Sequence, residues 1–308
     1  MKQFLSHLMH GLPYAVVLAV LLSCPPLRAF ALSNLIVQSL LFGAVAIVPA
    51  WRTGRMSYVD IAWPVGLFLI GAQALLFGTG LTVRDGIVAG LYLLAGGRMA
   101  AMALIGWRLG QLDRELPRYQ YQRQRWQRHG WREKPALLYE VSSQGLANMT
   151  VLAVPAILQA LNPAPGLSAL EWFGYALWLA AFAFEFVADL QKARFGQRMR
   201  QRDRKGEICS EGLWRYSRHP NYFGEWMVWN ALALSSISSL HALSASVPTW
   251  QVQVLFLALI YVSYLMYTVL VYYSGIVPAE FFSLKRRPGY ADYQRRTNRF
   301  FPGPSRAP

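Results

Sequence analysis

Apolar runs recur along this chain at a length set by a lipid bilayer. Long apolar segments lie near residues 12–31, 34–50, 58–79, 86–107, 144–162, 169–190, 223–244 and 251–275. Most approach the ~20 residues a helix needs to cross the hydrocarbon core. In lipid every backbone N–H and C=O must be paired within the segment, so runs of this length predict helices. The pattern therefore predicts an all-α, polytopic membrane helix bundle of about eight transmembrane segments. The second run is short and the third carries Asp60 near its start. No internal repeat or low-complexity segment interrupts the series. Residues 1–56 read as N-terminal membrane segments, and 57–308 as the main membrane domain with a cytoplasmic C-terminal cap.

The basic residues sort by connection. Arg52 and Arg55 follow the second segment, and Arg108, Arg114, Arg118, Arg123, Arg125, Arg128 and Arg132 follow the fourth. Lys192, Arg194, Arg198, Arg200, Arg202, Arg204 and Lys205 follow the sixth, and Lys285, Arg286, Arg287, Arg295, Arg296 and Arg299 follow the eighth. The odd connections carry little beyond Arg28 and Arg84. The positive-inside rule then places every even connection and the C-terminus in the cytoplasm, as expected of a bacterial inner-membrane protein. One missed helix would scramble this alternation, so charge and hydropathy support the same count.

Composition adds exclusions. The chain has 308 residues, 55% hydrophobic and 15% charged, with a formal net charge of +15. That charge alone would suit nucleic acid, but the apolar runs exclude it as a partner and leave membrane lipids and a lipophilic small molecule. Lys2, the first apolar stretch and Ala29-Phe30-Ala31 resemble a signal peptide, although the charged start is thin; an uncleaved first helix is the reading adopted. Cys24 and Cys209 fall on opposite sides of this topology, so no disulfide is expected, and neither has partners at metal-ligand spacing. No metal is expected. No P-loop, GxGxxG or GxSxG is present, so any nucleotide must be held by helix ends and basic loops.

The densest polar chemistry is the run from Glu211 to Glu225, directly before an apolar segment. A polar cluster at the mouth of a membrane helix is costly unless something binds there. Anionic lipid would explain its arginines. It would not explain Asn221, Gly224 and Glu225. Glu185 and Asp189 share a helix face four residues apart. They would either receive a ligand's hydroxyl and amide groups or pair with Arg215 or Arg218. Asp60 is either a buried, protonated acid that polarises a carbonyl or a helix N-cap. The loop 107–133 interleaves basic and aromatic residues as an interfacial helix does, with Arg108 the exception that could reach a ligand. In the tail, Tyr290 and Tyr293 share one face, which predicts that it folds back over the cytoplasmic site.

Several of these motifs together resemble the DUF1295 family, which belongs with the steroid 5α-reductase C-terminal-domain proteins. The resemblance rests on Asp60/Trp63, Trp107-Arg108-Leu109, Pro117-Arg118-Tyr119, Glu185/Asp189/Gln191/Lys192, the run from Gly212 to Glu225, and Tyr290/Tyr293/Thr297/Phe300/Pro302. Its most specific string is Ser217-Arg218-His219-Pro220-Asn221-Tyr222-Phe223-Gly224-Glu225. It implies an NADPH-dependent reductase that saturates a conjugated double bond of a steroid-like or other membrane-soluble lipid. It implies cofactor contacts at Asp189, Asn221 and Glu225, with Arg218 and His219 at the same pocket; Arg108, Glu185 and Tyr222 join them as cofactor-binding candidates. The catalytic acid is expected at Asp60. Pro64 and Leu116 depart from the family pattern, as does the lack of an early Gln-Glu pair, which bears on the acid and on the steroid substrate. The Arg-His-Pro-x-Tyr-x-Gly pattern also appears in membrane methyltransferases of the isoprenylcysteine and phospholipid type. S-adenosylmethionine is therefore the alternative cofactor, and a non-catalytic membrane partner is a third reading.

Overall fold

Eight helical runs stand where the apolar segments predict helices. In the computed structural model, α1 spans Lys2–Ser23, and α2, Pro25–Phe42, continues through a π-helical stretch into α3, Val48–Thr53. Then come α4, Val59–Phe77, and α5, Val83–Arg108. The short α6, Pro117–Arg128, precedes α7, Glu133–Met149, and α8, Val154–Ala160. Next are α9, Ala169–Gln201, α10, Pro220–Leu243, and α11, Thr249–Thr268. A second π-helical stretch leads to α12, Ile276–Arg286, and α13, Tyr290–Arg296, ends the series. The structure describes residues 2–78, 80, 82–204 and 206–306, with side chains from Gly11 onward; Lys205 and the side chain of Lys2 lie outside the described residues. Among them, six helical runs are long and apolar enough to cross a membrane, and Gly11–Ser23 is a shorter apolar helix.

Two boundaries differ from the sequence expectation. The first predicted segment, 12–31, is broken at Cys24 because Pro25 and Pro26 cannot continue a helix but suit the first turn of a new one. The fifth starts at Glu133 rather than 144. Its early turns carry Lys134 and Glu140, which mask the helix in hydropathy, and Glu140 is buried where it accepts from Trp126 Nε1 at 3.3 Å.

The chain divides into two compact units, Met1–Phe173 with Ala233–Val262 and Gly174–Leu232 with Ser263–Pro308. In the first, α4 and α5 pack along their length and α2, α7 and α8 surround them. Amide side chains join these helices in the interior. Asn34 Nδ2 donates to Asn148 O at 3.0 Å, Gln38 Nε2 to Gly66 O at 2.9 Å, and Asn148 Nδ2 to Trp63 O at 2.9 Å. Helices in lipid gain little from apolar contact with one another, so buried amide bonds of this kind supply specificity. At one end Arg84 and Glu171, both almost fully buried, pair at 2.5 Å. The second unit contains α9 from Gly174 onward, the first turns of α10, the end of α11, and the C-terminal helices and tail.

Candidate functional site

The loop before α10 is shaped by contacts to α9. Gly212 adopts φ +57°, and a Cβ there would lie 2.5 Å from Gln191 Oε1, so both conformation and space call for glycine. Gln191 Oε1 accepts from Leu213 N at 2.8 Å. Trp214 Nε1 donates to Ala188 O at 2.9 Å, and Lys192 Nζ sits 4.0 Å from the Trp214 ring centroid. Gln191 and Lys192 thus hold the loop that carries the motif.

The tail folds back on the other side of this loop, as its tyrosine spacing predicts. Tyr293 Oη donates to Trp214 O at 2.5 Å, Arg218 N to Asn298 O at 2.8 Å, and Gly303 N to Tyr216 O at 3.1 Å. Ser217 Oγ donates to Phe300 O at 2.9 Å and accepts from His219 N at 3.1 Å. Burial pushes the Tyr290 hydroxyl up to about 12 and Tyr293 higher still, so both remain neutral hydrogen-bonding groups.

Arg218 faces this clamp. Its Nε and Nη2 donate to the two carboxylate oxygens of Glu280 at 2.7 and 3.3 Å, and its Nη1 to Gln294 O at 2.9 Å and Thr297 O at 2.6 Å. The sequence alternative that paired Glu185 or Asp189 with Arg218 is not the arrangement formed; the partner is Glu280. His219 Nε2 lies 3.1 Å from Glu280 Oε1, and Gln294 Nε2 donates to Oε2 at 2.8 Å. Burial outweighs the Glu280 hydrogen bond and lowers the His219 pKa, so the imidazole is neutral near pH 7. Its ring lies parallel to that of Tyr222, with centroids 5.6 Å apart.

Beyond His219 the motif turns into α10 and meets α9. Asn221 Nδ2 donates to Asp189 Oδ1 at 3.0 Å. Asn221 Oδ1 is buried with no hydrogen-bond partner among the described residues. Gly224 allows the two helices to approach, since a Cβ there would lie 2.8 Å from Glu185 Cβ and 2.9 Å from its backbone nitrogen. Glu185 is buried against that glycine, and Glu225 follows it on α10. Phe223, Trp226, Tyr267 and Phe300 form an aromatic cluster behind this turn, with Trp226 Nε1 donating to Ser263 O at 3.0 Å. Seven of the expected site residues, Glu185, Asp189, Arg218, His219, Asn221, Tyr222 and Glu225, therefore belong to one compact unit.

Asp60 and Arg108 belong to the first unit. Asp60 lies in the first turn of α4 but does not cap it; the N-cap is Tyr58, with no side-chain cap bond. Asp60 Oδ1 accepts from Tyr119 Oη at 2.5 Å, and Oδ2 pairs with Arg118. Tyr119 is buried, which pushes its hydroxyl pKa well up. Nearby, Glu115 accepts from Met56 N, Ser57 Oγ and Arg123, which fastens the start of α4 to the loop before α6. Arg108 is exposed at the end of α5.

A family model for DUF1295, described as a protein of unknown function, matches residues 47–297. The chain belongs to the DUF1295 family. No curated protein and no solved structure matches it. Within the matched span lie both carboxylate hubs that sequence reasoning left without a role, Glu115 and Glu280. Glu280 had one visible signal: a lone acid, two residues after Pro278, at the end of the last apolar run.

Proposed function

We propose that this DUF1295 protein is an integral membrane oxidoreductase that uses NADPH to reduce a conjugated double bond of a steroid-like or other membrane-soluble lipid. The observation that carries the reading is the Asp189–Asn221 pair, which leaves a buried amide oxygen without a donor at the α9/α10 turn. A buried acceptor without a partner costs free energy, so a site that retains one fits a ligand that brings the donor. Asp189, Asn221, Glu185, Glu225 and Tyr222 would hold the cofactor. When bound, NADPH supplies the hydride. Arg218 and Glu280 hold the motif against the tail, and His219 is presented as a neutral group. Within the first unit, Asp60 accepts from the Tyr119 hydroxyl and orients it. The C-terminal clamp lies on the cytoplasmic side, where the cofactor is found.

One observation supports a second reading. The carboxylates named for the cofactor and the buried Asn221 Oδ1 are acceptors, which would also suit the ammonium and ribose hydroxyls of S-adenosylmethionine. A mass spectrum of nucleotides that copurify with the protein separates the two. NADP(H) supports the reductase, and S-adenosylmethionine or its demethylated product overturns it in favour of a methyltransferase.

A further inference from the structure

The C-terminal tail gathers arginines that are far apart in the sequence. Arg306 N donates to Arg296 O at 2.8 Å, and Ser305 Oγ donates to Arg215 O at 3.0 Å. Gly303 N donates to Tyr216 O at 3.1 Å, and Ser217 bridges to Asn298, so the tail runs beside the loop before α10. Arg215, Arg296 and Arg306 are thereby brought to one part of the second unit, and all three are exposed. None of their side chains makes an ion pair or hydrogen bond among the described residues. Other exposed arginines of this unit do: Arg198 pairs with Glu211, Arg204 with Glu207 and Arg295 with Asp292. Glu280, the other acid after α11, is engaged by Arg218. Scattered surface arginines need only water. Like charges collected from three points of the chain repel one another, and an anion relieves that repulsion.

The rings beside these arginines indicate the kind of anion. Tyr216, Tyr272 and Phe301 are exposed. Phe301 stacks on Tyr267 with centroids 6.4 Å apart and meets Trp226 edge to face at 5.8 Å. Tyr267 stands in the last turn of α11, which opens a run, Thr249–Arg286, long and apolar enough to cross a membrane. Arg299 Cζ lies 5.6 Å from the Tyr272 ring centroid, just beyond that turn. From Phe301 to Arg306 the tail spans at most about 18 Å, so the arginines stay close to the end of a membrane helix. Exposed aromatic rings next to basic side chains at such an end match the headgroup layer of a bilayer. We propose that Arg215, Arg296 and Arg306, flanked by Tyr216 and Phe301, form a seat for the headgroup of an anionic phospholipid, which holds the C-terminal clamp against the leaflet. Guanidinium groups pair bidentately with phosphate oxygens. A zwitterionic headgroup carries its own ammonium, which competes with the arginines for the phosphate. The seat uses none of the residues proposed for the cofactor, so it stands whichever cofactor the protein takes.

The test is hydrogen exchange of the full-length protein in nanodiscs, read by mass spectrometry over residues 299–306. That segment contains the Gly303 and Arg306 amides, whose bonds hold the tail in place. One set of discs is phosphatidylcholine alone, and the other also contains phosphatidylglycerol. Each arginine near an anionic surface favours contact by about fivefold. Exchange should therefore slow by at least about fivefold in the phosphatidylglycerol discs, and the slowing should shrink at high salt. The triple variant Arg215→Gln/Arg296→Gln/Arg306→Gln should exchange alike in both lipids. Arg198→Gln/Arg204→Gln removes arginines that already have carboxylate partners and should keep the difference. Equal exchange of the wild type in the two lipids, or a difference that survives the triple substitution, overturns the proposal. The wild-type comparison decides it even if the triple variant does not fold. NADP+ is then added to the phosphatidylcholine discs. Unchanged exchange over the tail supports the lipid seat. Slowing that the triple substitution abolishes assigns the arginines to a nucleotide phosphate and overturns it.

Discussion

Asn221 Nδ2 donates to Asp189 Oδ1 across 3.0 Å, which ties the first turn of α10 to the C-terminal half of α9. The bond orients the amide, because only the NH₂ group can face a carboxylate. Asp189→Ala removes that constraint and leaves Asn221 free to rotate. Loss of one buried hydrogen-bond partner costs about 1–3 kcal/mol, or roughly 5- to 150-fold in affinity. NADPH binding to Asp189→Ala should weaken within that range while the helical circular dichroism is retained. Unchanged affinity would make the pair a helix-to-helix tie and nothing more.

Gly224 gives a second test of the same turn. A Cβ at this position would lie within 3 Å of both the side chain and the backbone of Glu185. Overpacking of that kind costs about 1–3 kcal/mol, more than the roughly 1 kcal/mol alanine gains over glycine in a helix. Gly224→Ala should lower the thermal midpoint. Gly90→Ala on α5 is the control, because nothing lies within 4 Å of its Cβ position, and it should leave the midpoint unchanged or raise it.

The pH dependence of stability has a definite sign at His219. Its folded pKa lies below the ordinary value of about 6.5, because burial disfavours the charged ring. Below pH ~6.5 the unfolded chain therefore binds the proton more readily than the folded one, and stability is lost as pH falls toward the folded value. Denaturation curves of wild type and His219→Gln should draw closer together as pH is lowered from 7.5 to 5, the window named by that shift. A gap that widens on acidification would mean that the folded state prefers the imidazolium.

The helices were legible because hydropathy counts outward-facing and buried apolar side chains alike, so Pro25–Thr53, 28% buried, and Glu133–Ala160, 72% buried, both stand out. What hydropathy could not show is where polar residues are satisfied by distant partners. Glu140 hid the start of α7, and Trp126, its partner, lies on another helix. Asp60 read as an acid or a cap because Arg118 and Tyr119, which hold it, are nearly sixty residues on. The motif from Gly212 to Glu225 was recognisable as a unit, yet spacing along α9 and α10 could not reveal that Arg218 turns toward Glu280 while Asn221 turns toward Asp189. The kink at Pro25 was visible in the sequence, and an apolar window running over it obscured the break.

Topology is open to direct labelling. Cys24 and Cys209 are both buried, so single cysteines introduced at exposed positions will dominate the reaction with an impermeant thiol reagent. Gln122 is a poor position because it is buried; Gln127, Gln201 and Ala291 are exposed. All three should be protected in intact cells and labelled after permeabilisation. Labelling of any one from outside would break the positive-inside assignment.

The proposed reductase activity requires that the α9/α10 turn hold NADPH. Isothermal titration of the detergent-solubilised protein with NADPH, NADH and S-adenosylmethionine, repeated on Asn221→Ala, measures it. A 2′-phosphate is a dianion that guanidinium groups pair with strongly, and this chain is rich in arginine. NADPH should bind more tightly than NADH, and Asn221→Ala should weaken it about 5- to 150-fold. Equal affinity for the two dinucleotides, tighter binding of S-adenosylmethionine, or an Asn221→Ala variant that binds NADPH normally would contradict the reductase reading.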